Sequence, residues 1–259
     1  MKRVHLFEFE DQEWFPTFLR NYLTDFLQFL SNKSKLYQPI LPLLTQKLKE
    51  DKANTIIDLA SGGGGGLLWL NQELKKEIPT LNIVLTDYYP NVAAFERTRQ
   101  LADNFEYIPT PLDARQVPPH LQGFRTQFLS FHHFRPEDAA QILQNAIDKR
   151  ASIGVFEAQD RSIPSIMAMI FSPITVLLVT PFIRPFSFRR LLFTYLLPII
   201  PLFVLWDGVV SCFRTYSIEE MEALVATLSN TSTYNWEIGE KKGKAHKILY
   251  LIGTPKTVV

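Results

Sequence analysis

The sequence predicts an α/β fold: a mostly parallel seven-stranded sheet with an antiparallel pair of strands at its C-terminal end. Three observations lead there. Short apolar runs alternate with amphipathic helical stretches through the middle of the chain, the pattern of crossover-connected parallel strands. The first of these runs opens into five consecutive glycines, Gly62 to Gly66. Two extended pieces follow the last helical stretch around a Lys-Gly turn, which implies a hairpin at one edge.

The elements follow in order. Phe15, Phe18, Leu19, Tyr22, Leu23, Phe26, Leu27 and Leu30 recur at i, i+3, i+4 and i+7, one apolar face of a helix with Pro16 in its first turn. A second helix is expected from about Gln38 to Lys49. Strands are expected at Thr55–Leu59, Asn82–Thr86, Phe105–Thr110, Gln127–Phe131 and Ala151–Glu157, with helices at Leu67–Glu77, about Asn91–Ala102 and Pro136–Lys149. Ser217 with Glu220 three residues later forms a capping box that starts a helix reaching about Leu228. The closing strands are Thr233–Gly239 and His246–Gly253. The chain thus divides into an N-terminal helical cap (1–54), a core with the glycine turn (55–160), an apolar helical insertion (161–213) and a C-terminal helix and strand pair (214–259).

Composition sets the outer limits. The chain has 259 residues, 46% hydrophobic and 20% charged, enough for a large core and incompatible with global disorder. The formal net charge of +1 gives no general drive toward nucleic acid. One cysteine, Cys212, rules out an intrachain disulfide framework and fits a reducing, cytoplasmic setting. Met1 to Arg20 carries Glu8, Glu10, Asp11 and Glu13 and does not read as a secretory signal. Ser162–Ile183 and Leu191–Trp206 hold no charge, and the first is as long as a bilayer span. Pro164, Pro173, Pro181, Pro198 and Pro201 interrupt them, so broken helices forming an apolar lid or a membrane-resting face are expected over a transmembrane hairpin. Arg184, Arg189 and Arg190 punctuate the insertion and can reach anionic headgroups.

The strand–glycine–helix unit TIIDLASGGGGGLLWL lets backbone approach a ligand closely and places the free N–H groups of a helix start behind it. Asp87 ends the second strand about twenty residues later, where a carboxylate can accept two ribose hydroxyls. Asp113-Ala114 follows the third strand and can read an adenine edge. In these residues the chain resembles the class I, Rossmann-like S-adenosylmethionine-dependent methyltransferases. Asp58-Leu59-Ala60-Ser61-Gly62-Gly63-Gly64 is similar to their acidic-x-G-x-G-x-G turn, with Ala60 in place of the first glycine.

The resemblance implies S-adenosylmethionine as cofactor. Asp58 would act toward its methionine amino group, Asp87 on the ribose, Tyr88 against the adenine, and Asp113 and Ala114 at the adenine edge, with Ala60, Ser61, Gly62, Gly63, Gly64 and Phe131 completing the cofactor site. A nicotinamide-binding oxidoreductase shares the turn and the acid and stands as the alternative, together with a membrane-associated binding protein on a degenerate version of the fold.

Methyl transfer to a hydroxyl requires a proton acceptor, and imidazole is the side chain that titrates near neutrality. His132 and His133 end the fourth strand and are the candidate bases. Trp14, Glu157, Asp207, Arg214 and Tyr216 are the candidates for holding the acceptor. No metal is expected. The apolar insertion suggests a small apolar acceptor such as a lipid, isoprenoid, quinone or polyketide, with peripheral membrane contact.

Overall fold

The computed structural model describes residues 1–64, 66–243 and 246–256. Gly65 of the glycine run and the last three residues lie outside the described residues.

Seven strands form one sheet in the order β3-β2-β1-β4-β5-β7-β6. They are β1 (Thr55–Asp58), β2 (Asn82–Leu85), β3 (Phe105–Tyr107), β4 (Phe124–Phe128), β5 (Ile153–Glu157), β6 (Tyr234–Lys242) and β7 (Lys247–Pro255). The first five run parallel, with Ile57 opposite Val84 and Thr126 opposite Gly154. β7 is antiparallel between β5 and β6, with Val155 opposite Leu251 and Gly253 opposite Trp236. Because β1 lies at the point where the strand order turns from β2 to β4, the crevice beyond its carboxyl end is where such a sheet takes a ligand.

Helices cover both faces. On one, α2 (Leu41–Glu50), α3 (Leu67–Glu77) and α4 (Val92–Leu101) bring Leu44, Leu70 and Phe95 onto Ile56, Ile83 and Phe124. On the other, α5 (Pro136–Asp148) and α10 (Ile218–Ala226) pack Ile142, Leu143 and Met221 against Ile57, Val155 and Leu251. Apolar side chains on both faces of the central strands explain their near-continuous hydrophobic sequence. The Ser217–Glu220 capping box starts α10 as expected.

The fourth strand sits three residues earlier than the sequence suggests. The apolar run continues through Phe131, but Leu129 adopts φ +52° while still donating its N–H to the Phe156 carbonyl, the strand ends there, and Phe131–His133 closes into a single 3-10 turn. A strand buried on both faces offers no polar alternation to mark its end.

The insertion is helical and broken. α6 (Ile163–Ile170) bends by 43° into α7 (Ser172–Val179) and the turn that follows it. The short α8 (Phe188–Leu191) winds into a π turn at Leu192–Leu196, then bends by 76° into α9 (Ile199–Arg214). No single described helix is long and apolar enough to cross a membrane. The insertion packs on the N-terminal helix α1 (Thr17–Ser34): Phe15, Leu19, Leu23 and Phe26 meet Val176, Ile183 and Ile200 in a third core. Asp25 of α1 and Arg190 of the insertion form a buried ion pair at 2.5 Å beside Arg97.

Candidate active site

A cavity of about 420 Å³ opens beyond the carboxyl ends of β1, β2 and β4. That volume falls in the range of small-molecule sites. Its walls come from the N-terminal segment, α1, the glycine turn and the loops after β2, β3 and β4.

The glycine turn forms the floor. Ala60 has φ +58°, Gly62 +55° and Gly64 +84°, a left-handed region that costs any residue with a Cβ. A Cβ on Gly63 would stand 3.2 Å from the Thr24 carbonyl oxygen, so α1 rests directly on the turn. Asp58 is buried behind it and does not face the cavity. Its carboxylate accepts from Ser61 Oγ (2.6 Å) and Thr126 Oγ1 (2.8 Å), and burial raises its pKa to about 7. Asp58 therefore braces the turn from beneath. Gly64 faces Thr98 rather than the cavity.

Asp87 does face the cavity. One oxygen accepts the Gly62 N–H and the other the Tyr89 N–H, both at 2.7 Å. Burial raises its pKa, and the two backbone donors oppose the rise. Each carboxylate oxygen retains a lone pair for a ligand hydroxyl. Tyr88 lies half-exposed at the rim, edge-on to Tyr89, whose ring is covered by the Arg20 guanidinium at 4.3 Å. Asp113 and Ala114 line the opposite side. The Asp113 carboxylate is already gripped by Arg115 through Nε (3.0 and 3.1 Å) and Nη2 (2.7 Å), which holds its pKa low. Arg115 also reaches Asp138, so Asp113 is less free for a ligand than its position suggests.

The two histidines separate. His132 is buried behind the cavity wall with Nδ1 on Glu157 (3.0 Å), while its backbone N–H donates to the same carboxylate. His133 lines the cavity, and its Nδ1 meets Asp11 at 2.7 Å and Glu8 at 3.3 Å. Burial alone would lower the His133 pKa, but Glu8 and Asp11 outweigh it and raise it to about 10. Burial likewise opposes ionisation of Asp11, yet His133 and Arg214 hold it well below the usual carboxylate range. The pair is an ion pair, imidazolium to carboxylate.

Most of the expected acceptor residues brace this arrangement from outside the cavity. Arg214 is buried; it donates to the carbonyls of His132 (3.2 Å) and His133 (2.6 Å) and to Asp11 (2.6 Å). Asp207 caps the N-terminal segment by accepting the N–H groups of Phe9 and Glu10, and burial raises its pKa to about 7. Tyr216 donates to the Phe134 carbonyl and packs on the fully buried Phe131. Glu157 is committed to His132. Trp14 stands 67% exposed, away from the cavity. The insertion contributes none of the described cavity residues.

From its sequence the segment Asp11–Pro16 is expected to fold over the cofactor mouth, and Asp11 does line the cavity, but the sequence reading named none of the N-terminal acids as site residues. Glu10 lines the cavity with its pKa raised to about 8, first by burial and then by Asp207, and Asp11 supplies the carboxylate for His133. A run of four acids before Trp14-Phe15-Pro16 was the available signal, but nothing in it shows that the segment returns to the end of β4. Ser130 was also missed. The residue lines the cavity, while its hydroxyl is enclosed and has no partner among the described residues. Glu8, His132 and His133 offer donor atoms within 4.8 Å of one another, a set an ion could use. The Arg214 guanidinium, 3.2 Å from Glu8 Oε1, works against a cation there.

No protein-family model matches the sequence, and no curated protein matches it. Solved structures do. The plantazolicin methyltransferase BpumL in complex with a monoazolic desmethylPZN analog and SAH is similar at a TM-score of 0.56 and 11% identity, covering 92% of this chain and 98% of that one. BpumL with SAH gives 0.53 and 14%, covering 92% and 88%. An O-methyltransferase family protein from Burkholderia thailandensis gives 0.50 and 15%, covering 90% of this chain and 60% of that one. The fold is that of the class I methyltransferases. The antiparallel β7 between β5 and β6 also departs from the 3-2-1-4-5-6 order of dinucleotide-binding sheets, which removes the fold-level basis of the oxidoreductase alternative.

Proposed function

We propose that this protein is an S-adenosylmethionine-dependent methyltransferase acting on a small apolar acceptor of the lipid, isoprenoid, quinone or polyketide kind. One observation carries the reading: the glycine turn, the Asp87 carboxylate, Asp113-Ala114 and His133 surround a single cavity. The lone pairs left on Asp87 fit a ligand bearing hydroxyl groups. Bound S-adenosylmethionine would supply a sulfonium methyl open to in-line attack.

The chain's own residues divide the remaining work. Asp87 would accept the ribose hydroxyls, while Ala60, Ser61, Gly62 and Gly63 would let backbone approach the methionine portion. Tyr88, Asp113 and Ala114 would hold the adenine. The neutral fraction of His133 would receive the acceptor's hydroxyl proton, with Asp11 and Glu8 stabilising the imidazolium that results. Arg214 acts through Asp11 and the His132–His133 carbonyls, as a positioning residue. Leu27, Leu112 and Phe134 offer the apolar contacts for the acceptor. Peripheral membrane contact belongs to the same reading, since an apolar acceptor resides there.

Calorimetry with S-adenosylmethionine and with NADH tests the cofactor. Binding of the first and not the second is expected, and preferential NADH binding overturns the proposal. Transfer of radiolabelled methyl into an organic-extractable product from a lipid extract tests the acceptor class; label found only in water-soluble product refutes the apolar assignment.

A further inference from the structure

We propose that the outer face of the insertion, built from α6, α7, α8 and the start of α9, docks on an anionic lipid surface. The inference deepens the peripheral membrane contact of the proposed function, and it rests on residues that line no part of the cavity.

The insertion buries one side against α1 and leaves the other side bare. Ile163 (73%), Leu178 (68%), Phe182 (66%), Phe188 (80%) and Leu196 (74%) project into solvent, where water disfavours large apolar groups. Residues 161–206 contain no Asp or Glu. Four arginines fall in that span, and two are internally neutralised: Arg161 pairs with Glu220 and Arg190 with Asp25. Arg184 and Arg189 are exposed and have no carboxylate partner among the described residues. Arg189 stacks its guanidinium 3.6 Å above the Phe18 ring, and Arg184 stands between Phe182 and Phe186. Tyr195 (48%) and Trp206 (39%) add exposed aromatic surface, with their polar ends donating to the Leu177 and Phe7 carbonyls.

This charge pattern selects the occupant. A second copy of the chain would bring the same two unpaired cations against each other with no acid to meet them. A membrane with anionic headgroups supplies the complementary charge and accepts the phenylalanines beneath it. The bends at Phe171 and Leu197–Pro198 leave no single straight helix long enough to cross such a surface among the described residues. Lipid would then lie one helix away from the cavity: α1 packs Leu23 and Phe26 on the insertion and turns Asn21, Thr24 and Leu27 to the cavity.

Flotation of the full chain with vesicles, without cofactor, tests the proposal. Phosphatidylcholine vesicles containing about a third phosphatidylglycerol should carry the protein upward, and pure phosphatidylcholine should carry it much less. An Arg184→Gln/Arg189→Gln double variant should lose about 25-fold in partitioning, roughly fivefold per cation near a charged surface. A Phe182→Ser/Phe188→Ser/Leu196→Ser variant should fall to background while its circular dichroism is unchanged. Absence of flotation by the wild type overturns the proposal, as does binding indifferent to lipid charge or unaffected by the arginine pair. A stable dimer in light scattering that the serine variant dissolves would assign the face to a second copy instead. Should the serine variant not fold, the lipid-charge comparison and the arginine pair still decide. The cofactor calorimetry is a separate measurement, so either reading can fail without the other.

Discussion

Replacing Asp87 by Asn tests the core of the proposed site. The substitution keeps shape and removes charge. In the structure both carboxylate oxygens already accept backbone N–H groups, from Gly62 and Tyr89, and their remaining lone pairs face the cavity. Two hydrogen bonds from ribose hydroxyls to an ionised acceptor are worth about 1.5 kcal/mol each at the lower end, so about 3 kcal/mol of cofactor affinity is at stake. That corresponds to about a 150-fold rise in Kd. The amide can still accept one backbone N–H but turns its own N–H₂ toward the other, so the glycine turn also loosens. Relief from burying a charge offsets part of the stability loss, and a small change in Tm is expected. Isothermal titration with S-adenosylmethionine is the assay. A Kd within threefold of the wild type, with Tm unchanged, would refute the assignment of Asp87 to the ribose. Asp113→Asn should weaken binding by less than Asp87→Asn, because Arg115 already occupies its carboxylate.

The pH dependence follows from His133. With a folded pKa of about 10 the imidazole is protonated at neutrality, so only its neutral fraction can take the acceptor's proton and kcat/KM should rise about tenfold per pH unit toward pH 10; a flat profile between pH 6 and 9 removes His133 as base. The same raised pKa contributes stability that is complete below the unfolded value of 6.5 and is lost as pH climbs through about 10, so Tm should fall over that interval, and a rising Tm would contradict the ion pair. Ala60→Gly should raise stability by about 0.5 kcal/mol, since it relieves about 1–2 kcal/mol of left-handed strain and gives back part of it in chain entropy; a lowered Tm would mean the Ala60 methyl is packed. Asp25→Ala leaves Arg190 buried without its partner and should cost about 3 kcal/mol, seen as a Tm drop of about 6–12 °C, and a loss under 1 kcal/mol would show that the insertion is not anchored there.

The sequence by itself determined the parts whose causes are local. Glycines between a strand and a helix announce a ligand-facing turn because few other residues take its backbone conformation, and Ser217 with Glu220 announces a helix start because the two side chains satisfy each other's backbone donors. Alternation of strand and helix dictated the parallel sheet, and the two extended pieces at the end its antiparallel edge. Asp87 was legible because it ends a strand at the right distance from the turn.

Only the tertiary structure decided the rest. It separated His132 from His133, since one residue of a 3-10 turn points inward and the next outward. It moved Arg214, Asp207 and Glu157 from the acceptor site to the scaffold behind it, where their charges meet partners far away in the chain: Asp11 bonds Arg214 across 203 residues. It brought the acids of the N-terminal segment to the cavity and turned the apolar insertion away from it, toward solvent. Apolar sequence states that a segment needs cover; which surface provides that cover depends on long-range packing, and composition carries no record of it.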